Sequence, residues 1–91
     1  MIKVVYGGVF VKSAHKLPKK LKIKLANSIT LLQNNPFSQS LHTKYLSGKL
    51  TGLLSFRVTH DWRVVFKFVD SDLIQLVEVA NRKDIYRWQN V

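Results

Sequence analysis

Arg57 and Arg63 flank the segment Val58-Thr59-His60-Asp61-Trp62, and the residues around them fix how they face each other. A period of two puts Phe56 and Val58 on one side of a strand and Arg57 on the other. In the next segment Val64, Phe66 and Phe68 share a side, opposite Arg63, Val65 and Lys67. Opposed residues of an antiparallel pair point to the same side, so the two apolar sets meet only through a three-residue loop, Thr59-His60-Asp61. That loop pairs Val58 with Trp62, Phe56 with Val64 and Arg57 with Arg63. Like charges so placed are destabilising, and something must offset the cost. Either the guanidiniums fan into water or take Asp61 or Glu78 between them, or they hold a phosphate as two bidentate donors. The acid-poor surroundings favour the phosphate.

Those surroundings follow from the charge count. The 91 residues carry 15 Lys and Arg against 5 Asp and Glu, a formal charge of +10. Residues 1–60 hold ten of the bases and no acid; all five acids fall later and balance the remaining five bases. Such a surface attracts polyanions: RNA, DNA, anionic lipid or an acidic protein. No cysteine is present, which excludes a disulfide scaffold, a thiolate zinc site and a cysteine nucleophile. The three histidines are scattered and the acids show no metal-ligand spacing, so no metal is expected. Length implies one domain over residues 1–91, and a 46% hydrophobic content argues for folding. The apolar stretch Val4–Val11 is too short to span a bilayer, and no signal peptide is evident, so a cytoplasmic protein is expected.

The elements that must position the arginines are legible in outline. Met1–Val5 reads as a strand ended by Gly7-Gly8, and Val9–Lys16 as a short helix. Pro18 suits the first turn of a second helix, on which Leu21, Leu25, Ile29 and Leu32 form a buried stripe. Asn34-Asn35-Pro36 ends it. Residues 36–53 read as a long polar loop, followed by strands at Leu54–Val58, Trp62–Val69 and Leu73–Ala80. Residues 81–91 show only weak periodicity. The expected fold is α+β: two helices on one face of a mainly antiparallel four-stranded sheet, in the order β-α-α-β-β-β.

Four segments in that order resemble the RelE/ParE toxin superfamily: Leu46-Ser47-Gly48-Lys49-Leu50-Thr51-Gly52, Ser55-Phe56-Arg57-Val58, Asp61-Trp62-Arg63-Val64-Val65-Phe66 and Val79-Ala80-Asn81-Arg82-Lys83-Asp84-Ile85-Tyr86. The likeness covers nearly the whole chain and implies the toxin of a type II toxin–antitoxin module. For a RelE-like member it implies a ribosome-dependent endoribonuclease that uses no cofactor and cuts mRNA in the A site. The 2′-hydroxyl attacks the adjacent phosphate, the 5′-oxygen leaves, and a 2′,3′-cyclic phosphate results. It also implies a cognate antitoxin and no membrane partner, with a higher-order toxin–antitoxin complex that binds operator DNA through the antitoxin.

By the same resemblance Arg63 falls at a phosphate-contacting arginine, Arg82 at one that stabilises the transition state or assists the leaving oxygen, and Tyr86 at a stacking tyrosine with a part in proton transfer. Arg57 falls where RelE has a catalytic lysine, and a second lysine position is Thr59 here. Asp61-Trp62 matches an Asp-Trp pair of the YafQ-like branch, whose aspartate is functional. That branch has histidines at the position of Arg82 and near Lys44, so this chain combines a YafQ-like hairpin with a RelE-like tail. Arginine is a poor proton acceptor, which leaves Asp61, His60 and Tyr86 as candidate bases. Lys44, Lys49, His60 and Lys83 are candidate RNA contacts, although a solvated lysine looks the same in sequence. His15 and His42 read as surface residues, and Trp62 as a core or hairpin anchor. A ParE-like inhibitor of DNA gyrase, or an RNA-binding relative that does not cleave, are the competing expectations.

Overall fold

In the computed structural model, which describes residues 1–90, Phe56 stands opposite Val64 and Arg57 opposite Arg63. The Val58 N–H donates to the Trp62 carbonyl at 2.9 Å, which closes the loop at Thr59-His60-Asp61. The hairpin register drawn from the apolar alternation is therefore the observed one.

The elements run β1 (Lys3–Tyr6), α1 (Gly8–His15), α2 (Lys19–Asn34), β2 (Lys44–Tyr45), β3 (Leu54–Arg57), β4 (Trp62–Asp70), β5 (Leu73–Asn81) and α3 (Arg82–Gln89), with short 3₁₀ turns at Gln39–Leu41 and Gly48–Leu50. Pro18 is the N-cap of α2 rather than part of its first turn. The sheet has five strands, in the order β1-β5-β4-β3-β2, and it is mixed. β1 runs parallel to β5, with Lys3 beside Leu73 and Tyr6 beside Leu76, while the other pairs are antiparallel.

Two features correct the sequence expectation of four strands with helices on one face. The loop before the hairpin contributes β2, whose Lys44 and Tyr45 pair with Ser55 and Leu54. Two residues are too few for a period-2 signal, and both side chains are exposed. The tail is a helix, and it packs on the face opposite α1 and α2.

Each face has its own core. Phe10, Leu17, Leu25 and Leu32 of the α1–α2 layer bury Leu54, Phe56, Val64, Phe66, Ile74, Leu76 and Val79 of the sheet. The α2 stripe is as read from its spacing, with Leu21 and Ile29 half-buried beside Leu25 and Leu32. On the other face Ile85 of α3 packs with Leu46, Val65 and Ala80, flanked by Trp88, Leu50, Leu53 and Val77. Trp62 packs against the larger core as an anchor. No helix among the described residues is long and apolar enough to cross a membrane.

Candidate active site

α3 follows β5 without a loop, and its start is tied down twice. Asn81 is the N-cap, its side chain accepting from the Lys83 N–H at 3.0 Å. The Arg82 N–H donates to the Asp61 carbonyl at 2.8 Å, which binds the helix to the hairpin turn. At the other end Gln89 Oε1 accepts from the Ser47 N–H at 2.7 Å and its hydroxyl at 3.1 Å. Gly48 lies against this end with φ +60°, and a Cβ there would overlap the Gln89 carbonyl. The helix is thus held at a fixed height over the sheet.

The gap beneath it is a concavity of about 420 Å³ lined by Lys44, Ser55 and Arg63 from the sheet and by Arg82, Lys83 and Tyr86 from α3, with Ile85 and Gln89 completing its wall. No acidic side chain lines it. The only ion pair among the described residues is Arg87–Asp84, at 2.8 Å on the outer side of α3. Neither Asp61 nor Glu78 stands between Arg57 and Arg63. The Arg63 side chain is 9% exposed, and burial first, then Arg57 and Arg82, lowers its pKa from the ordinary arginine value. A buried cation crowded by two others, with no carboxylate partner, is a strong receptor for an anion.

The remaining sequence candidates, His60, Arg57, Asp61 and Lys49, are not part of the lining. The Arg82 guanidinium lies 3.2 Å from His60 Nε2. Arginine offers only donors, so His60 Nε2 is the acceptor in this contact. Arg63 also donates to the His60 carbonyl, at 3.4 Å. Arg57 faces Arg63 across the strands without lining the concavity. Asp61 is exposed and outside the lining, and its backbone carbonyl anchors the Arg82 N–H. Lys49 also lies outside the lining. Sequence reasoning missed Ser55, whose hydroxyl is fully buried, and Gln89. A serine inside an apolar strand was the one available signal for the first. Among the described residues no three His, Asp or Glu side chains converge as a metal site would require.

No protein-family model and no curated protein matches the chain by sequence. Solved structures do match. YafQ from Escherichia coli superposes with a TM-score of 0.77 over 94% of this chain and 99% of its own, at 22% identity. In the RelE–RelB complex from Pyrococcus horikoshii the corresponding values are 0.71, 89%, 94% and 23%. For the YoeB–YefM complex from Staphylococcus aureus they are 0.71, 88%, 95% and 19%. At these identities the likeness is one of fold, and it extends over almost the full length on both sides. The chain has the fold shared by YafQ, RelE and YoeB.

Proposed function

We propose that this chain is the toxin of a type II toxin–antitoxin pair and an endoribonuclease that cleaves ribosome-bound mRNA. The observation that carries this reading is the acid-free concavity lined by Lys44, Arg63, Arg82 and Tyr86. Attack of a 2′-hydroxyl on the adjacent phosphate builds negative charge on the phosphoryl oxygens, and preorganised guanidiniums stabilise that charge most where water is sparse. Arg63 is buried and pre-set for this task, and Arg82 stands at the rim.

Proton transfer follows from the His60–Arg82 contact. When Arg82 turns from His60 to the phosphate, the Nε2 lone pair is freed beside the attacking hydroxyl. His60 takes its proton, the O2′–P bond forms, and the P–O5′ bond breaks. The Tyr86 hydroxyl protonates the leaving oxygen while its ring stacks on a base. Imidazole is the side chain that titrates nearest neutrality, which suits it to the first step. Asp61 acts by holding Arg82. The ribosome orients the mRNA, so the protein supplies charge and proton transfer.

An antitoxin partner is supported by the RelE–RelB and YoeB–YefM complexes, each of which pairs this fold with a second protein. An acidic, partly apolar chain that folds on binding suits the +10 surface, and both partners would act in the cytoplasm. The test is purified protein added to ribosomes programmed with a defined mRNA. Cuts in the A-site codon with 2′,3′-cyclic phosphate ends, lost in Arg82→Ala, are expected. Intact mRNA together with trapped gyrase–DNA complexes would replace this reading with a gyrase-directed one.

A further inference from the structure

Four aromatic rings run outward from the larger core toward the β2 edge of the sheet. Phe66 is fully buried, and Phe68 meets it edge-on with ring centroids 5.9 Å apart. Phe37 stacks on Phe68 at 6.1 Å and 19°, and Tyr45 lies beside Phe37 at 6.2 Å and 30°. The two outer rings are open to solvent, Phe37 by 51% and Tyr45 by 70%. Large apolar side chains grouped on a surface mark a binding site. These two are also held in place. The Thr43 hydroxyl donates to the Pro36 carbonyl and the Phe37 N–H to Asn35 Oδ1, which ties together the two ends of the turn that carries them. Leu41, in the core, pins the middle of that turn. Little ordering is left to oppose a ligand.

The rings lie outside the concavity, on the other face of the sheet. Tyr45 pairs with Leu54, which faces α1 and α2, whereas Lys44 pairs with Ser55 on the concavity side. β2 is the last strand of the sheet, so a chain leaving the concavity at Lys44 has one strand to round before it meets Tyr45. The surroundings select what that chain is. Phe37 and Tyr45 belong to the sixty residues without an acid, with His42 and Lys44 as their near neighbours in sequence. Asp70, the acid that follows Phe68 on β4, is engaged in its own turn, accepting from the Asp72 N–H at 2.8 Å. Near-parallel, open rings beside a cation suit the bases of a polyanionic strand, and +10 on each copy opposes a second molecule of this chain. We propose that Phe37 and Tyr45 form a stacking platform for a nucleobase of single-stranded RNA, beyond the reacting linkage and reached past Lys44. The platform rests on the proposed ribonuclease reading for the source of its RNA, but not for its affinity for bases. Every base has a π-face, so it adds grip on the strand without sequence preference.

The test is binding of the full chain to 2′-O-methyl hexa-adenylate, whose blocked 2′-oxygens cannot attack. Tyr45→Ala should bind it about tenfold more weakly, and Tyr45→Trp should restore the parental affinity. Stacking releases no counterions, so the salt dependence of binding should be the same in Tyr45→Ala and the parent. An abasic strand of equal length should not distinguish the two proteins. Tyr6→Ala is the control: it removes an exposed ring at the opposite edge of the sheet and should leave the affinity unchanged. Parental affinity in Tyr45→Ala, or an equal loss with the abasic strand, would overturn the platform. Weaker binding of an alternating Glu–Leu peptide by Tyr45→Ala, with hexa-adenylate unaffected, would transfer the rings to a protein partner. A dimer in sedimentation that Tyr45→Ala abolishes would transfer them to a second copy. If hexa-adenylate binding depends on Tyr45 while mRNA on ribosomes stays intact, the ribonuclease reading falls and the platform stands. If mRNA is cut and Tyr45→Ala binds as the parent does, the platform alone falls.

Discussion

Arg57 and Arg63 stand directly opposite each other across β3 and β4, and neither has a carboxylate at ion-pair distance among the described residues. The pairing is imposed by the hydrophobic register, because Phe56 and Val64 must share the face buried by α2. Repulsion between the guanidiniums is therefore built into the unliganded protein. Arg57→Gln should raise the free energy of unfolding by ~0.5 kcal/mol at low salt, with the gain shrinking as salt screens the parent. Urea melts of both chains at two salt concentrations measure this, and an equal gain at both would contradict a charge origin.

His60 serves Arg82 as an acceptor and, in the proposed mechanism, serves the substrate as a base. His60→Gln separates these roles, because a glutamine carbonyl still accepts from Arg82 but takes up no proton near neutrality. Single-turnover cleavage on programmed ribosomes should fall roughly 10²-fold in His60→Gln and His60→Ala alike. Parental rates in the glutamine variant would reduce His60 to a positioning residue.

Burial first, then the nearby Asp84, raises the Glu78 carboxyl above its usual range. The folded chain then keeps this proton to higher pH than the unfolded chain does. Stability from Glu78 is full below the ordinary carboxylate range and is lost as pH rises through the raised value. Glu78→Gln should flatten that loss and stabilise the protein at neutrality by roughly 0.5 kcal/mol, a rise of ~2–4 °C in Tm. Thermal melts of both chains across the acid-to-neutral range give the comparison, and parallel curves would remove Glu78 as the cause.

Gly48 combines φ +60° with a backbone in contact with Gln89, whereas Gly52, at φ +98°, has open space around its Cβ position. Gly48→Ala should cost about 1–3 kcal/mol and lift the end of α3. Because Arg82 and Tyr86 ride on that helix, cleavage should drop with it. Gly52→Ala carries the backbone strain without the collision, so it should be the milder change in both melting and cleavage. Equal losses would show that strain alone matters.

The sequence disclosed this structure unevenly, and the differences have physical causes. Alternation on both strands of the hairpin leaves one register, so the Arg57–Arg63 pairing was legible in the sequence. β2 was not, because a strand of Lys44 and Tyr45 alone has no pattern to show. α3 escaped notice because its polar residues hide the two that dock it, Ile85 and Trp88. Its cap was nonetheless written in the chain, as Asn81 with an acid, Asp84, three residues on. Ser55 was invisible as a lining residue, because its complete burial is a property of tertiary packing alone. Asp61 was read for its side chain, and the contact its backbone carbonyl makes with the Arg82 N–H was not legible.

β1 pairs with β5 across about 70 residues of chain, whereas β3, β4 and β5 are joined by short turns. Loop-closure entropy weighs most on that distant pairing, so the meander can form early and the first strand locks late. During that interval β5 offers an open edge with no Pro along it. A newly made chain is thus exposed to strand addition on one side of β5 while its other side is already paired with β4. Lys3, whose amide bonds the Asp72 carbonyl at 2.9 Å, is the latch that ends this vulnerable period.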